Sequence, residues 1–413
     1  MTRGVSVTRD AEDRTDLRNL LRPLSEARRR LRLAPIRPVR SVTLPLVGAV
    51  GRISADDVRT RHPEPSVDLA AMDGFAIGLP RDGRATSFRL RDGFLTPGAR
   101  PGQLRPGEAI AIGTGAPLPA GAGAVVRRER ARAGPAEISV HRVPAPGTDV
   151  HRRGEDLPAG ARILTAGEQV RPYQLGLLLA QHVNALRVRV PRITIIVTGD
   201  EFGGRGRTGA RVVRDSISPM IGALAERLGT VRRERVSDRL EALTKALVRV
   251  SRTADLIVTI GGTSVGSHDV TKQAIRRVGA LWFEGVRTNV LKRAAAGRVE
   301  RTPVVVLPGQ VVAAVVAGHE FGRAALARLT GWTPPPPIVV PLREELRNPQ
   351  PMDSVYLFRL GPDGARPCRW GVRLYSELLS ADAYGIVPRA SRLPAGAPVA
   401  LVPLDGAPGR SPA

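Results

Sequence analysis

The sequence predicts an α/β plus β fold of several domains, and three observations carry that reading. Between residues 191 and 331, apolar strand-like runs alternate with amphipathic helical stretches, the pattern of parallel β-α units. Residues 54–148 are rich in Gly and Pro and hold short β-like runs, the signature of a small β-rich domain. Beyond the TPPPP linker at 333–337, further β-like runs separated by turns make a C-terminal β domain of about 70 residues. With 413 residues the chain is too long for one core, and the usual domain size suggests roughly three domains.

The elements follow in order. Residues 17–33 place Leu17, Leu20, Leu21 and Leu24 at helical spacing in an Arg-rich segment. Runs 109–112 and 124–127 are β-like, and a helical passage at 172–182 follows the turn-rich HRRGEDLPAG. RITIIV is a buried strand ending in TGDE. Ser218 and Pro219 then open a helix as N-cap and first residue, with Met220, Ile221, Leu224 and Leu228 on one face. A second helix carries Leu240, Leu243, Leu247 and Val250. The strand DLIVTI runs into GGTSVGSHD, and a helix from 269 to 278 stops at Gly279. PVVVL enters PGQ and a long apolar helix to Leu329. In the last domain VYLFRL and GVRLY flank the turn GPDG, followed by GIVP and APVALV.

Composition excludes several classes. The N-terminus lacks the apolar core of a signal peptide, and the longest apolar stretch is cut by Pro308, Gly309 and Gln310, so no membrane span is expected. Cys368 is the single cysteine, which excludes an intramolecular disulfide framework and CxxC metal sites. A cytoplasmic protein is expected. The net charge of +25 invites a nucleic-acid reading. Against it, aromatics are only 3%, leaving little for base stacking, and the bias is toward Arg with Lys only at 245, 272 and 292. No nucleic-acid partner is expected; a positive field still gathers anionic small molecules.

In an open α/β sheet, ligands sit outside the carboxyl ends of the strands. Three loops fall there: 198–201, 261–269 and 308–310. Gly261, Gly262, Ser264 and Gly266 suit a phosphate nest, because glycines let backbone N–H groups approach a ligand. The loop is neither a Walker A loop nor a dinucleotide motif, and its structural reading is an ordinary turn. Asp200, Glu201 and Asp269 would crowd carboxylates beside that nest, which implies Mg²⁺ between them and a phosphate. The other reading of Asp269, and of Asp238, is a helix cap. No His spacing suits zinc, and no G-x-S-x-G elbow marks a serine nucleophile. DLAAMDGFAI sets Asp68 and Asp73 around a Met in a turn, and AIGTGAPLPAGAGAVVRRE sets Thr114 in a Gly-flanked loop and Glu129 after a strand.

Six ordered motifs, DLAAMDGFAI, GTGAPLPAGAGAVVRRE, RRGEDLPAG, VTGDEF, RDS and GGTSVGSHDVTK, resemble the molybdopterin molybdenumtransferases, the family of MoeA and the gephyrin E-domain. The match runs from residue 44 to 331, more loosely beyond. The resemblance implies an elongated homodimer with a helical stalk domain (11–53 and 149–188) and an inserted β-rich domain (54–148). It further implies a three-layer α/β molybdopterin-binding domain (189–332) and a C-terminal β domain (338–406). It implies insertion of molybdate into adenylated molybdopterin with release of AMP, and a molybdopterin adenylyltransferase as partner. By motif position Asp68, Thr114, Glu201, Asp238, Asp269 and Lys292 are the expected catalytic residues. Glu201, Asp238 and Asp269 would hold Mg²⁺. Gly261, Gly262, Ser264, Gly266, Pro308, Gly309 and Ser376 would bind the pterin nucleotide.

The sequence also departs from the family pattern. Ala70 stands for Ser in D-x-S-A-M-D-G, and Ile217 for Asn in D-S-N. In NVLKR, Asn289 replaces the first Lys of K-P-G-K-P, Leu291 the Gly and Arg293 the second Pro; Lys292 survives. Gln310 and Val311 replace Asn-Pro after L-P-G, and Leu357 stands at an Arg position. Cationic residues expected around an oxyanion are therefore thinned. Two readings stay open: an active transferase with an altered anion site, and a catalytically degenerate paralogue that binds pterin, nucleotide or a protein partner.

Overall fold

The computed structural model describes residues 21–80, 84–199, 214–262, 269–368 and 375–404. Asp200, Glu201, Ser264, Gly266 and the start of the expected 17–33 helix lie outside the described residues. The chain divides into two compact units: one holds 57–165 and 173–184, the other 1–56, 166–172 and 185–413.

The first unit is built on a six-stranded sheet in the order 124–127, 74–77, 108–112, 87–95, 137–140, 131–133. Its pairs are antiparallel except 87–95 with 108–112, which run parallel. Phe75, Ile77, Phe88, Val126 and Ile138 form its core. The helix Gln174–Ala180 belongs to this unit. The buried Gln181 just after it accepts from the N–H groups of Arg61 and His62 at 2.8 and 3.0 Å.

The second unit centres on a sheet whose first strand, β1 (Arg192–Thr198), is buried from Ile193 onward. A β-branched run with no polar alternation forms such a strand because both faces will be covered. The chain continues through α1 (Ile217–Glu226), β2 (Thr230–Val236), α2 (Leu240–Ser251), β3 (Leu256–Ile260) and α3 (Val270–Val278). Next come β4 (Gly279–Glu284), β5 (Ala295–Val299), β6 (Thr302–Leu307), α4 (Val311–Ala317) and, after a π turn at Gly318–Gly322, α5 (Arg323–Thr330). The sheet order is β2-β1-β3-β6-β5-β4. On one face Ile193, Ile195, Val197, Val258 and Ile260 pack with Ile221 of α1, Val312 and Val316 of α4 and Phe321 of the π turn. On the other, Ile196 and Ile257 pack with Leu243, Leu247 and Val250 of α2 and with Ile275 of α3. Three layers result, each buried Leu, Ile or Val contributing about 1.5–3 kcal/mol.

Three local expectations are corrected. Parallel units do not continue throughout: β5 runs antiparallel to β6 and to β4, closing the sheet with a hairpin. The Ala- and Gly-rich AAGRV, without a β-branched run, hides that strand. Ser218 does not cap α1. The helix begins at Ile217, and Asp215 accepts from the Ser218 N–H at 3.0 Å and from its hydroxyl. Pro219 thereby sits inside the first turn, where its missing N–H costs nothing. The long helix to Leu329 is interrupted by the π turn. There the buried Glu320 accepts two bonds of 2.7 Å from Arg28 and one of 2.8 Å from the Tyr384 hydroxyl. This cluster ties the helix Leu24–Leu33 and the C-terminal sheet to the α/β layers.

The C-terminal sheet contains β7 (Ile338–Pro341), β8 (Ser354–Gly361), β9 (Gly364–Pro367), β10 (Ala383–Val387) and β11 (Pro398–Pro403), in the order β7-β11-β10-β8-β9. All neighbours are antiparallel. Of the expected strand GVRLY, residues 371–374 lie outside the described residues, and Tyr375 opens the short helix α6 (Tyr375–Ser380). Spans expected to be helical, 11–53 and 149–188, also carry short strands such as Ser41–Pro45 paired with Ala185–Arg189.

Candidate active site at the strand ends

β2 and β3 lie on opposite sides of β1, so the chain reverses its winding direction at the β1–β3 pair. The crevice outside the carboxyl ends of those two strands is the switch point where such sheets bind ligands. β1 ends at Thr198, and β3 runs directly into Gly261 and Gly262, whose φ values are 89° and 63°. A Cβ at Gly261 would lie 2.4 Å from the Thr198 carbonyl oxygen. One at Gly262 would lie 2.5 Å from Thr271 Oγ1 and 2.6 Å from Thr198 Oγ1. Both glycines are thus required by conformation and by space. Thr271 secures the turn: its hydroxyl donates to the Gly261 carbonyl at 3.2 Å and its N–H to that of Gly262 at 3.4 Å. The Thr198 hydroxyl is buried and has no hydrogen-bond partner among the described residues. The turn after β6 joins them, since a Cβ on the exposed Gly309 would sit 3.9 Å from Gly261 Cα. Pro308 beside it is buried.

Asp269 is the N-cap of α3. Its Oδ1 accepts from the Lys272 N–H at 3.0 Å, which satisfies one of the helix's open donors. Oδ2 lies 2.8 Å from Lys272 Nζ as an ion pair, with the ammonium out of hydrogen-bonding alignment. Both side chains are largely buried, 9% and 13% exposed. Asp238 follows β2, whose carboxyl end lies at the same rim of the parallel sheet as that of β3, with β1 between them. Among the described residues no three His, Cys, Asp or Glu side chains gather as a metal site. Glu201, the third member of the expected Mg²⁺ triad with Asp238 and Asp269, lies outside the described residues.

Because β5 reverses and β4 reverses again, β4 runs with β1, β3 and β6. The connection 285–294 therefore emerges at the same rim as the glycine turns. Lys292 and Arg293 are exposed there. Asn289 faces the C-terminal sheet: its Oδ1 accepts from the Val355 N–H at 2.8 Å and its Nδ2 donates to the Val355 carbonyl at 3.1 Å. Leu291 is fully buried, with its N–H on Thr288 Oγ1 at 3.0 Å. These departures from the family pattern make a clasp on β8. Leu357 of β8 is a core residue and Val311 is buried in α4. Ser376 is exposed on α6, and its neighbour Tyr375 shares a 2.5 Å hydrogen bond with Ser216 at the start of α1.

Asp68 and Thr114 belong to the other unit. Asp68 Oδ1 accepts from the Arg153 N–H at 2.8 Å. The loops carrying Asp68 and Thr114 are joined, with the Gly115 N–H on the Ala70 carbonyl at 2.7 Å and the Leu118 N–H on that of Asp68 at 2.9 Å. Thr114 itself is bound to Asp73, whose Oδ1 accepts from the Thr114 N–H and hydroxyl, each at 2.7 Å. These bonds, the backbone one first, hold the Asp73 carboxyl below its ordinary range.

The structure thus gathers Gly261, Gly262, Pro308, Gly309 and Asp269 at the switch point, with the Lys292 loop on the same rim. It adds one residue that sequence reasoning did not select, Lys272, and gives Thr198 of the first expected loop a definite place against the Gly262 turn. Lys272 had one available signal, its retention in a chain of 63 basic residues with lysine at three positions.

Comparison with known proteins accords with this architecture. The MoeA N-terminal region (domain I and II) matches residues 22–181, and the probable molybdopterin binding domain matches 194–328. A Mycobacterium tuberculosis protein named molybdopterin molybdenumtransferase 2 is 33% identical over 316 residues, covering 73% of this chain and 78% of that one. The Haemophilus influenzae molybdopterin molybdenumtransferase is 28% identical over 307 residues, 72% and 76% of the two chains. The crystal structure of the molybdopterin biosynthesis moea protein from Pyrococcus horikosii superposes with a TM-score of 0.75 at 24% identity, covering 94% of this chain and all of that one, and so shares the fold.

Proposed function

The chain belongs to the molybdopterin molybdenumtransferase family, and from that premise we propose that it inserts molybdate into adenylated molybdopterin in molybdenum cofactor biosynthesis. In this reaction the phosphoanhydride of the adenylated pterin is cleaved and AMP leaves. The observation that carries the reading is the strand-end crevice, where two left-handed glycines, a buried hydroxyl without a partner among the described residues and the N-terminus of α3 converge. Backbone N–H groups at such a point suit phosphate oxygens, and preorganised donors stabilise the charge that develops on them.

Gly261, Gly262, Pro308 and Gly309 are assigned to the nucleotide phosphates, together with Ser264 and Gly266 of the same loop. Lys292, at the same rim, is assigned to the molybdate oxyanion, with Ser376 as a further polar contact. Asp68 and Thr114, and the carboxylates Glu201, Asp238 and Asp269, complete the assignment by motif position. Mg²⁺ is proposed to enter with the phosphates of the nucleotide, as this ion commonly does, and to be held by these carboxylates. A homodimer, a cytoplasmic setting and an adenylyltransferase that hands over the substrate are part of the same proposal. No described helix is long and apolar enough to cross a membrane. Adenylated molybdopterin given to the protein with molybdate and Mg²⁺ should yield AMP in proportion to molybdate. Nucleotide that stays bound without AMP release would instead support the non-catalytic paralogue.

A further inference from the structure

The cap of α3 is already occupied in a way that bears on how the site fills. Asp269 presents Oδ1 to the helix N–H of Lys272, and Oδ2 to the ammonium of the same residue at 2.8 Å. A divalent cation approaching Oδ2 meets a like charge in the place it would take. The pair is largely buried, so solvent screens that repulsion weakly. The Thr198 hydroxyl, 1% exposed and without a partner among the described residues, borders the Gly262 turn, which Thr271 of the same helix also touches. A buried hydroxyl in that condition calls for a ligand or water oxygen. Lysine is also rare in this chain, at three of 63 basic positions, and at 272 it supplies a compact ammonium with three rotatable donors.

We propose that Lys272 is a positioning residue that keeps Asp269 closed to divalent cations until a phosphate-bearing anion arrives, so that cation and anion are taken up together. An arriving phosphate gives the ammonium a second acceptor. As Nζ turns toward it, Oδ2 opens, and the cation then lies between carboxylate and phosphate. Each ligand thus raises the affinity of the other by the same factor, as linkage requires. The inference rests on the proposed reading of the site only for the identity of the anion.

The test uses the full chain, Mn²⁺ followed by electron paramagnetic resonance, and AMP as the anion. Wild-type protein should bind Mn²⁺ weakly alone and at least tenfold more tightly with saturating AMP. Lys272→Met should bind Mn²⁺ alone about tenfold more tightly than wild type and lose the tightening by AMP, while Lys272→Arg, which keeps the charge, should stay weak without AMP. The gain in Lys272→Met should vanish when Asp269→Asn is added, which a merely structural role for the lysine does not predict. Equal Mn²⁺ affinity in wild type and Lys272→Met overturns the role of Lys272. If Lys272→Met does not fold, the wild-type measurement decides, because tight Mn²⁺ binding without AMP overturns the proposal equally. Absence of AMP binding to wild type counts against the nucleotide reading, and the Mn²⁺-alone comparison still decides the role of Lys272.

Discussion

Replacing Gly262 by alanine tests the geometry of the strand-end turn directly. The backbone there has φ of 63°, where a side chain costs about 1–2 kcal/mol. The new methyl would lie 2.5 Å from Thr271 Oγ1 and 2.6 Å from Thr198 Oγ1, both far inside van der Waals contact. Relieving such overpacking costs about 1–3 kcal/mol. Thr271 is the poorer candidate to yield, since its hydroxyl holds the Gly261 carbonyl. The sum is about 2–5 kcal/mol, measured by urea unfolding of wild type and Gly262→Ala. Gly309→Ala is the control: its φ is not left-handed and its nearest neighbour lies at 3.9 Å. It should stay within about 0.5 kcal/mol of wild type and still weaken AMP binding by calorimetry, because the methyl enters the ligand's approach. A Gly262→Ala protein as stable as Gly309→Ala would refute the account of the turn.

Other consequences follow from the packing of the larger unit. Glu320→Ala leaves the Tyr384 hydroxyl and Arg28 without their acceptor, and should cost about 3 kcal/mol in denaturant unfolding, whereas Tyr384→Phe should cost about 1 kcal/mol. Burial, with the Arg323 charge second, lowers the His319 imidazole from 6.5 to about 4. The folded state therefore favours the neutral ring. The stability it contributes is complete above pH 6.5 and is lost as pH falls toward 4, by roughly 3 kcal/mol. His319→Phe should flatten that part of the stability-pH curve, and an unchanged slope would contradict the assignment. Asn289→Ala should cost about 1–3 kcal/mol through the Val355 N–H and carbonyl it leaves behind. Asn289→Lys should be no more stable in thermal melts, since the position serves the clasp on β8.

The architecture was legible where physical pattern and function coincide. RITIIVT, LIVTI and PVVVL read as buried strands because apolar β-branched runs have few other uses, and their glycine-rich exits placed the crevice. The antiparallel hairpin was hidden, since AAGRV owes its strand character to neighbours on both sides rather than to its own composition. The start of α1 was misplaced because Asp215 and Ser218 carry equally good capping groups, and only geometry decides which one bonds backward. At the candidate site, motif position pointed to the glycines and Asp269, which the fold places together at the switch point. It did not show that Asp269 is paired with Lys272, because a lysine three residues along a helix also suits a solvated face. Nor did it foresee Asn289 bonding to Val355, a contact across 66 residues that no local pattern encodes.

The most direct test of the central claim is AMP release from adenylated molybdopterin, measured with and without molybdate, for wild type and Asp269→Ala. Wild type should release AMP in a molybdate-dependent way, and an Asp269→Ala protein that circular dichroism shows to be folded should lose that release. Wild-type protein that binds the substrate but releases no AMP at any molybdate concentration would contradict the claim. Undiminished release by Asp269→Ala would remove the strand-end carboxylate from the site.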